Sequence, residues 1–413
     1  MERVRIAAAP AAGIHWRRNL WVCAGGSFIT IVGMTLLVPF LPVYVRELGA
    51  STDAEVLRWS GIAYGATFLT AALVAPLWGA LGDRYGRKAM LIRASLGMAI
   101  AMSLIGLAQT VWQLVALRLL VGLLGGYSSA ATILVAAQAP KERTGWALGV
   151  LSSGMMAGAV AGPLLGGVLP AAIGIRRTFF LTGALIFCAF LATTFLLKGD
   201  AMARPRVAST KGTRNGVERG KKGSARSVAV LLVTASMLMF GTMSIQPLVT
   251  AYVTEINGTH RATMWGGLVL ALGAAGSIVS APFIGKTADR IGHRRVIVTC
   301  LSAAAACVLI QGYVQSAPQL ALAQFVLGVC LGGLMPSVTA AIRHVTPTDR
   351  VGRTLGFGVS AQYLGQVLGP VTGGFVAGVA GFRSVFAITA LVLLLAASMN
   401  VIDERLRPQH HCL

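Results

Sequence analysis

The sequence predicts an all-α integral membrane protein: twelve transmembrane helices in two parallel six-helix repeats, with both termini cytoplasmic. Three observations carry this. Apolar residues make up 55% of the 413 residues and charged residues only 12%, against roughly 25% charged in a soluble domain. That composition excludes a water-soluble globule, and it excludes disorder, which requires few apolar side chains. Long stretches contain no Asp, Glu, Lys or Arg, and the chain repeats its own text at a spacing near 207 residues.

The spans follow from the uncharged runs. A helix needs about 20 apolar residues to cross the hydrocarbon. Runs at 19–45, 59–82, 144–175, 178–197, 227–254, 262–285, 354–382 and 384–402 each supply one crossing. The neutral run 296–342 is long enough for two, divided near Ser316-Ala317-Pro318. The run 94–140, interrupted only by Arg118, holds two more, divided near Gln109. The expected organisation is a cytoplasmic tail 1–18, a six-helix bundle 19–197, a linker 198–227, a second bundle 228–402 and a cytoplasmic tail 403–413. The linker carries nine basic and two acidic residues and almost no large apolar side chain, so it cannot bury enough surface to fold alone. No cleavable signal is predicted, because the first apolar stretch is itself long enough to span.

The basic residues set the orientation. Of 35 Lys and Arg, 28 fall in the tails, the linker and alternate loops, six fall in the opposite loops, and Arg118 alone lies inside a span. Lys and Arg accumulate on the cytoplasmic side. The net charge of +22 therefore reflects membrane topology rather than a nucleic-acid surface, and no nucleic-acid partner is expected. The six cysteines show no CxxC spacing, and no nucleophile–base pair, metal-ligand cluster or phosphate loop occurs. An enzyme, a metal site and a cofactor are not expected, and the default is a monomer.

The halves align in three places. Gly79-Ala-Leu-Gly-Asp83-Arg84-Tyr-Gly86-Arg87-Lys88 matches Gly285-Lys-Thr-Ala-Asp289-Arg290-Ile-Gly292-His293-Arg294; Pro140-Lys-Glu142-Arg143 matches Pro347-Thr-Asp-Arg350; Gly162-Pro163-Leu-Leu-Gly166-Gly167 matches Gly369-Pro370-Val-Thr-Gly373-Gly374. An even number of spans per half gives parallel repeats, which place a ligand site between them near the midplane.

Individual residues then acquire physical readings. A carboxylate such as Asp83 in a tight loop can answer the positive end of a neighbouring helix. Arg118 stands about seven residues into its span, roughly 10 Å deep at 1.5 Å per residue. A guanidinium there is costly and marks a cavity or a partner; its counterpart is the neutral Gln324. All thirteen acids fall in loops, tails or span ends, so the buried charge is positive and the expected ligands are neutral, zwitterionic or anionic rather than cationic. Proton sites are then expected either at Asp83 and Glu142 or at the outer Glu47 and Glu255. The expected cavity lining is Thr35, Phe40, Arg118, Tyr127, Gln246, Gln324, Gln362, Tyr363 and Gln366, with Tyr127 beside Arg118. Pro39, Pro42 and Pro247 should bend the outer ends of the first and seventh spans. Gly158, Gly162, Pro163, Gly166, Gly167, Gly369 and Pro370 should let helices approach closely. Tyr44, Trp59, Tyr252 and Trp265 are expected in the aromatic belt at the outer interface.

These motifs resemble the marker motifs of the major facilitator superfamily: the run Gly79 to Lys88, Arg118 in the fourth span, and Gly154-Met-Met-Ala-Gly158-Ala-Val-Ala-Gly162-Pro163 in the fifth. The last resembles the pattern of its twelve-span drug/proton antiporters. Trp16-Arg-Arg-Asn-Leu20, Pro39-Phe-Leu-Pro42, Gly145-Trp-Ala-Leu-Gly149 and Ser280-Ala-Pro-Phe-Ile-Gly285 resemble multidrug efflux proteins of bacterial inner membranes within it. The resemblance implies a latch of Asp83 with Arg84, Arg87 and Glu142, repeated as Asp289 and Arg290, and a part for Arg118 in proton coupling. It also implies membrane lipid, protons and a small amphiphilic substrate as partners. The expected function is export of amphiphilic drugs or bile-salt-like compounds by proton antiport through rocker-switch alternating access. The alternative is an importer or exchanger of a small organic anion clamped by Arg118.

Overall fold

The computed structural model describes residues 16–198, 225–259, 261–347 and 350–406, without the side chains at positions 83 and 141. Most of the expected tails and linker lies outside the described residues. The elements are α1 (Trp16–Leu36), α2 (Leu41–Glu47), α3 (Asp53–Tyr85), α4 (Arg87–Ile105), α5 (Val111–Leu124), α6 (Tyr127–Gln138), α7 (Thr144–Ile173), α8 (Ile175–Leu196), α9 (Ala225–Ile245), α10 (Val249–Asn257), α11 (Ala262–Ile291), α12 (His293–Gln311), α13 (Ala317–Leu331), α14 (Leu334–Val345) and α15 (Val351–Arg405). Among the described residues there is no strand. Eleven helical segments among the described residues are long and apolar enough to cross a membrane.

The expected bends are present and have local causes. Pro39 and Pro247 fall within single 3₁₀ turns, Val38–Phe40 and Gln246–Leu248, which join α1 to α2 and α9 to α10. A proline without an N–H is tolerated where a new helical turn begins. Two breaks were not expected. The fourth and tenth spans are each interrupted by a Gly-Gly pair, at Gly125-Gly126 and Gly332-Gly333, and Gly126 adopts φ 103°.

Segment α15 has 55 residues and is two helices joined across a break rather than one continuous rod. Inside it, Gly381 has φ 79° and ψ 171°, which no helix contains. The equivalent position 207 residues earlier is Gly174, φ 87° and ψ 152°, where α7 gives way to α8. Gly86 and Gly292 form a second such pair, with φ 87° and 98°.

The two halves repeat their packing as well as their turns. Tyr44 donates to the Ile105 carbonyl at 2.6 Å and its ring lies 5.3 Å from Phe179; Tyr252 donates to the Gln311 carbonyl at 2.8 Å, with its ring 5.0 Å from Phe386. Both tyrosines are buried, at 1% and 3% exposure, so the expected aromatic belt fails at these positions. Each ring instead fills the core of its half, and its hydroxyl is satisfied by the carbonyl at a helix end. Of the other two, Trp59 packs edge-on against the exposed Trp112 at 4.5 Å, and Trp265 is half-buried.

One buried charge cluster was missed. Asp403 was expected to begin a tail, but it sits in α15 and is buried. It pairs with Arg294, accepts from Ser227 Oγ at 2.8 Å and lies 4.0 Å from Arg226. At the position equivalent to Arg294 in the first half, Lys88 donates to the Thr194 carbonyl at 3.0 Å. Removing one member of a buried pair strands the other. Asp403→Ala is expected to destabilise the purified protein by on the order of 3 kcal/mol, read as a lower thermal unfolding midpoint in detergent. Arg294→Met with Asp403→Leu should recover most of the loss; an unchanged midpoint in Asp403→Ala would show that the pair does not hold this end of the bundle together.

Candidate functional site

The halves meet through glycine on four helices. A Cβ on Gly61 of α3 would collide with the Pro370 carbonyl of α15, and Gly374 lies against Gly61 and the Leu57 carbonyl. A Cβ on Gly267 of α11 would collide with the Pro163 carbonyl of α7, and Gly167 lies against Thr263 and Met264. Backbones can approach this closely only where side chains are absent.

Five helical turns away, 18 residues, lies a second glycine on the same face of each helix: Gly79 on α3, Gly149 on α7, Gly285 on α11 and Gly356 on α15. At all four a Cβ would meet nothing within 4 Å. The halves therefore touch at the end carrying α2 and α10, and stand apart at the end carrying the Gly86 and Gly292 turns.

Between them lies a cavity of about 320 Å³. Its polar lining includes Thr35, Thr242, Gln246, Ser277 and Gln324; its apolar lining includes Met239, Met243, Met335, Leu270 and Pro163. Among the described residues no charged side chain lines it. Of the expected lining residues, Thr35, Gln246 and Gln324 line this cavity. Gln366 touches the lining indirectly, its amide 3.5 Å from Met239 Sδ. Gln362 and Tyr363 are half-buried on α15 and do not line the cavity.

Phe40, Tyr127 and Arg118 are displaced from their expected places. Phe40 is fully buried and packs edge-on against Phe179 at 5.5 Å. Tyr127, at the start of α6, bonds Thr193 at 2.9 Å and fills the space over Gly26, within a core cluster containing Leu20, Leu91 and Leu134. Tyr127 stands nine residues, about 13 Å of helix rise, from Arg118, with the Gly125-Gly126 break between them. Arg118 is 1% exposed. Its Nε donates to the Ala63 carbonyl at 3.3 Å, its guanidinium carbon lies 5.8 Å from the Tyr64 ring centre, and Nη1 has no partner among the described residues.

Tyr64 is the residue that sequence reasoning missed. Its hydroxyl donates to Gln246 Oε1 at 2.8 Å, joining α3 of one half to the 3₁₀ turn of the other. Arg118 thus reaches the cavity through Tyr64 and Gln246 rather than directly. The repeat gives no hint of this, since the position equivalent to Arg118 is Gln324, bonded to Gln311 at 2.9 Å.

The latch residues lie at the open end. The side chain of Asp83 lies outside the described residues. Arg84 is exposed and stacks over Tyr85 at 5.4 Å, Arg87 packs beside Gly82, and Glu142 is exposed. In the second half Asp289 lies 3.8 Å from His293, itself stacked on His344 at 5.5 Å, and Arg290 is exposed. Among the glycines, Gly158 and Gly162 pack on α1 at Phe28 and Thr35, Gly166 on the Leu36 carbonyl, and Gly369 on the Phe240 carbonyl of α9.

An all-helical bundle of two like halves around an uncharged cavity, touching at one end only, is the architecture of a membrane carrier. The chain belongs to the Major Facilitator Superfamily, whose model matches it twice, over residues 23–276 and 231–410. Among curated proteins it is 38% identical over 387 residues to multidrug resistance protein MdtG of Yersinia enterocolitica, covering 93% of this chain and 92% of that protein. It is 37% identical over 405 residues to the MdtG of Rahnella sp., covering 96% and 95%. Among solved structures it resembles a bacterial homologue of the human lysosomal transporter Spinster in its inward-facing and occupied conformation, with a TM-score of 0.73, 16% identity and coverage of 94% and 96%. It also resembles the nucleoside transporter NupG, with a TM-score of 0.75, 12% identity and coverage of 93% and 99%.

Proposed function

We propose that the protein exports amphiphilic drugs or bile-salt-like compounds by proton antiport, through rocker-switch alternating access. It is a multi-pass transport protein of the bacterial inner membrane. The observation that carries the mechanism is the set of four glycine pairs five turns apart, closed at one end and open at the other. Rocking the halves about the cavity would bring Gly79 towards Gly356 and Gly149 towards Gly285 while separating Gly61 from Gly374. The multidrug resistance relatives support export of drugs. The lining of methionines, leucine and neutral amides suits ligands with a large apolar body and few fixed charges. An anion clamp at Arg118 receives no support, because its guanidinium is buried away from the cavity.

Twelve crossings belong to this reading. Counting α15 as two helices parted at Gly381 adds one to the eleven apolar segments. An even number puts both termini on one side, and the 28 basic residues make that side cytoplasmic. The open end then faces the cytoplasm.

The test uses purified protein in liposomes with a pH-sensitive dye inside and an imposed proton gradient. Neutral and anionic amphiphiles are expected to move protons and cationic ones to move few. Asp83→Asn is expected to abolish the signal while the protein remains inserted. Proton movement with none of the compounds, alongside counterflow of a labelled small anion, would replace antiport by exchange.

A further inference from the structure

Two sequence motifs take no part in the cavity and, apart from the seam glycine Gly149, none in the meeting of the halves: Trp16-Arg-Arg-Asn-Leu20 at the start of α1 and Gly145-Trp-Ala-Leu-Gly149 at the start of α7. Some 130 residues apart in the chain, they meet in the fold. The Trp16 ring meets Trp146 edge-on at 6.3 Å, and the Arg17 guanidinium lies over Trp16 at 5.5 Å. Between the motifs is a surface hollow of about 450 Å³ lined by Arg17, Trp21, Arg143 and Trp146. Both outer indoles are open, Trp21 at 63% and Trp146 at 54% exposure. We propose that this hollow binds the headgroup of an anionic phospholipid, with its phosphodiester between Arg17 and Arg143 and its first carbons against Trp21 and Trp146.

Charge balance is the first argument. Neither Arg17 nor Arg143 has an ion pair with a carboxylate among the described residues; Glu142, beside Arg143 in the chain, is exposed and pairs with neither. The second repeat shows how the same end of the bundle is treated when the fold supplies its own anion. By the spacing of 208 residues that relates Pro39 to Pro247 and Tyr44 to Tyr252, Arg226 corresponds to Arg18, next to Arg17. Arg226 lies 4.0 Å from Asp403, which stands 22 residues after Gly381. The residue 22 positions after Gly174 is Leu196. The position of Trp21 is taken by Ala229. One copy pairs its arginine internally and has no indole there. The other leaves two guanidiniums without a carboxylate partner among the described residues, between exposed indoles.

The chemistry of the hollow selects the ligand. Guanidinium forks bind phosphate oxygens in pairs, and indoles prefer the depth of lipid headgroups. Basic pockets between helices at a cytoplasmic face hold anionic headgroups. A free phosphate ion would engage the arginines but have no use for the indoles. The inference depends on the arginines facing the cytoplasmic leaflet, but not on what the cavity carries.

The test uses the full chain, purified in detergent, with phosphatidylglycerol as probe, phosphatidylethanolamine as reference and inorganic phosphate as competitor, read by native mass spectrometry. Wild-type protein is expected to retain phosphatidylglycerol in preference. Arg17→Gln with Arg143→Gln should reduce the retained fraction about 25-fold, at roughly a factor of five per interfacial arginine. Arg177→Gln, in an opposite loop, should not. In vesicles containing brominated phosphatidylglycerol, wild-type indole fluorescence should be quenched more than with brominated phosphatidylethanolamine, and Trp21→Phe with Trp146→Phe should remove that excess. Unchanged retention in the double arginine variant overturns the proposal. So does displacement of the lipid by an equal concentration of inorganic phosphate, which would leave a simple anion site.

Discussion

Gly61→Leu is expected to reduce transport at least tenfold and to drive the protein into the conformation it does not occupy here. The Cβ alone would collide with the Pro370 carbonyl, and Gly374 blocks the adjacent space. A leucine can be housed only if α3 and α15 part at this end. Overpacking of this kind costs about 1–3 kcal/mol, and each 1.4 kcal/mol shifts a two-state equilibrium tenfold. The cost falls only on the state in which these helices touch, so it acts as a population shift and leaves the separate bundles intact. Gly356→Leu should do the reverse. Its side chain enters open space in the present state, so the protein should keep this conformation while the opposite closure is obstructed. Both variants should lose transport, and they should differ in which face is accessible. A cysteine at Ala54, which contacts Gly378 across the same seam, should react with an impermeant maleimide added from outside faster in Gly61→Leu and no faster in Gly356→Leu. Wild-type transport by either variant would show that closure at the end it obstructs is not part of the cycle.

The long-range plan of the protein was legible because it is written as depth. Uncharged runs give the length of each crossing. A fixed offset gives the duplication, and it extends to residues that no motif covers, such as Gly174 and Gly381. What depth does not record is azimuth, meaning which way a residue faces around its helix once other helices are in place. Tyr44 and Tyr252 were assigned to the lipid interface because they lie at the right height, yet both face inward to a carbonyl. Tyr127 lies about 13 Å of helix rise from Arg118, beyond the glycine break, and bonds Thr193 instead. Asp403 lay at a span end by the same reasoning, and only the packing of α9, α12 and α15 shows that it is buried. For the cavity, the polar residues Thr35, Gln246 and Gln324 could be named from sequence. The methionines could not, because Met239, Met243 and Met335 differ in no local way from the apolar residues around them.

Arg118→Ala is expected to abolish active transport while changing stability little, and that separation is the informative result. A buried guanidinium with an unpaired Nη1 contributes little net stability, because desolvation offsets its attractions. Its partner carbonyl at Ala63 is inside α3 and keeps its helical hydrogen bond. Removing the side chain therefore costs the fold little. Its effect on the cavity is different in kind. The charge sits beside the Tyr64 ring, and the Tyr64 hydroxyl is the polar link to Gln246 on the other half. Losing Arg118 frees the ring to leave that position, and the two halves lose the contact that reports on the cavity. Tyr64→Phe, which deletes the hydroxyl and keeps the ring, should slow transport about fivefold, the worth of about 1 kcal/mol of hydrogen bond. Gln246→Leu should do the same, and the double variant should be no worse than either single one, giving a coupling of about 1 kcal/mol in a double-mutant cycle. Additive losses would mean that the hydroxyl and the amide act separately, and normal transport by well-expressed Arg118→Ala would remove the buried charge from the mechanism. Arg118→Lys is the sharper variant. A lysine keeps the charge and lacks the planar fork that can donate to Ala63 while lying against Tyr64. If charge alone matters it should transport normally; if the position of Tyr64 is what Arg118 controls, it should fail as alanine does.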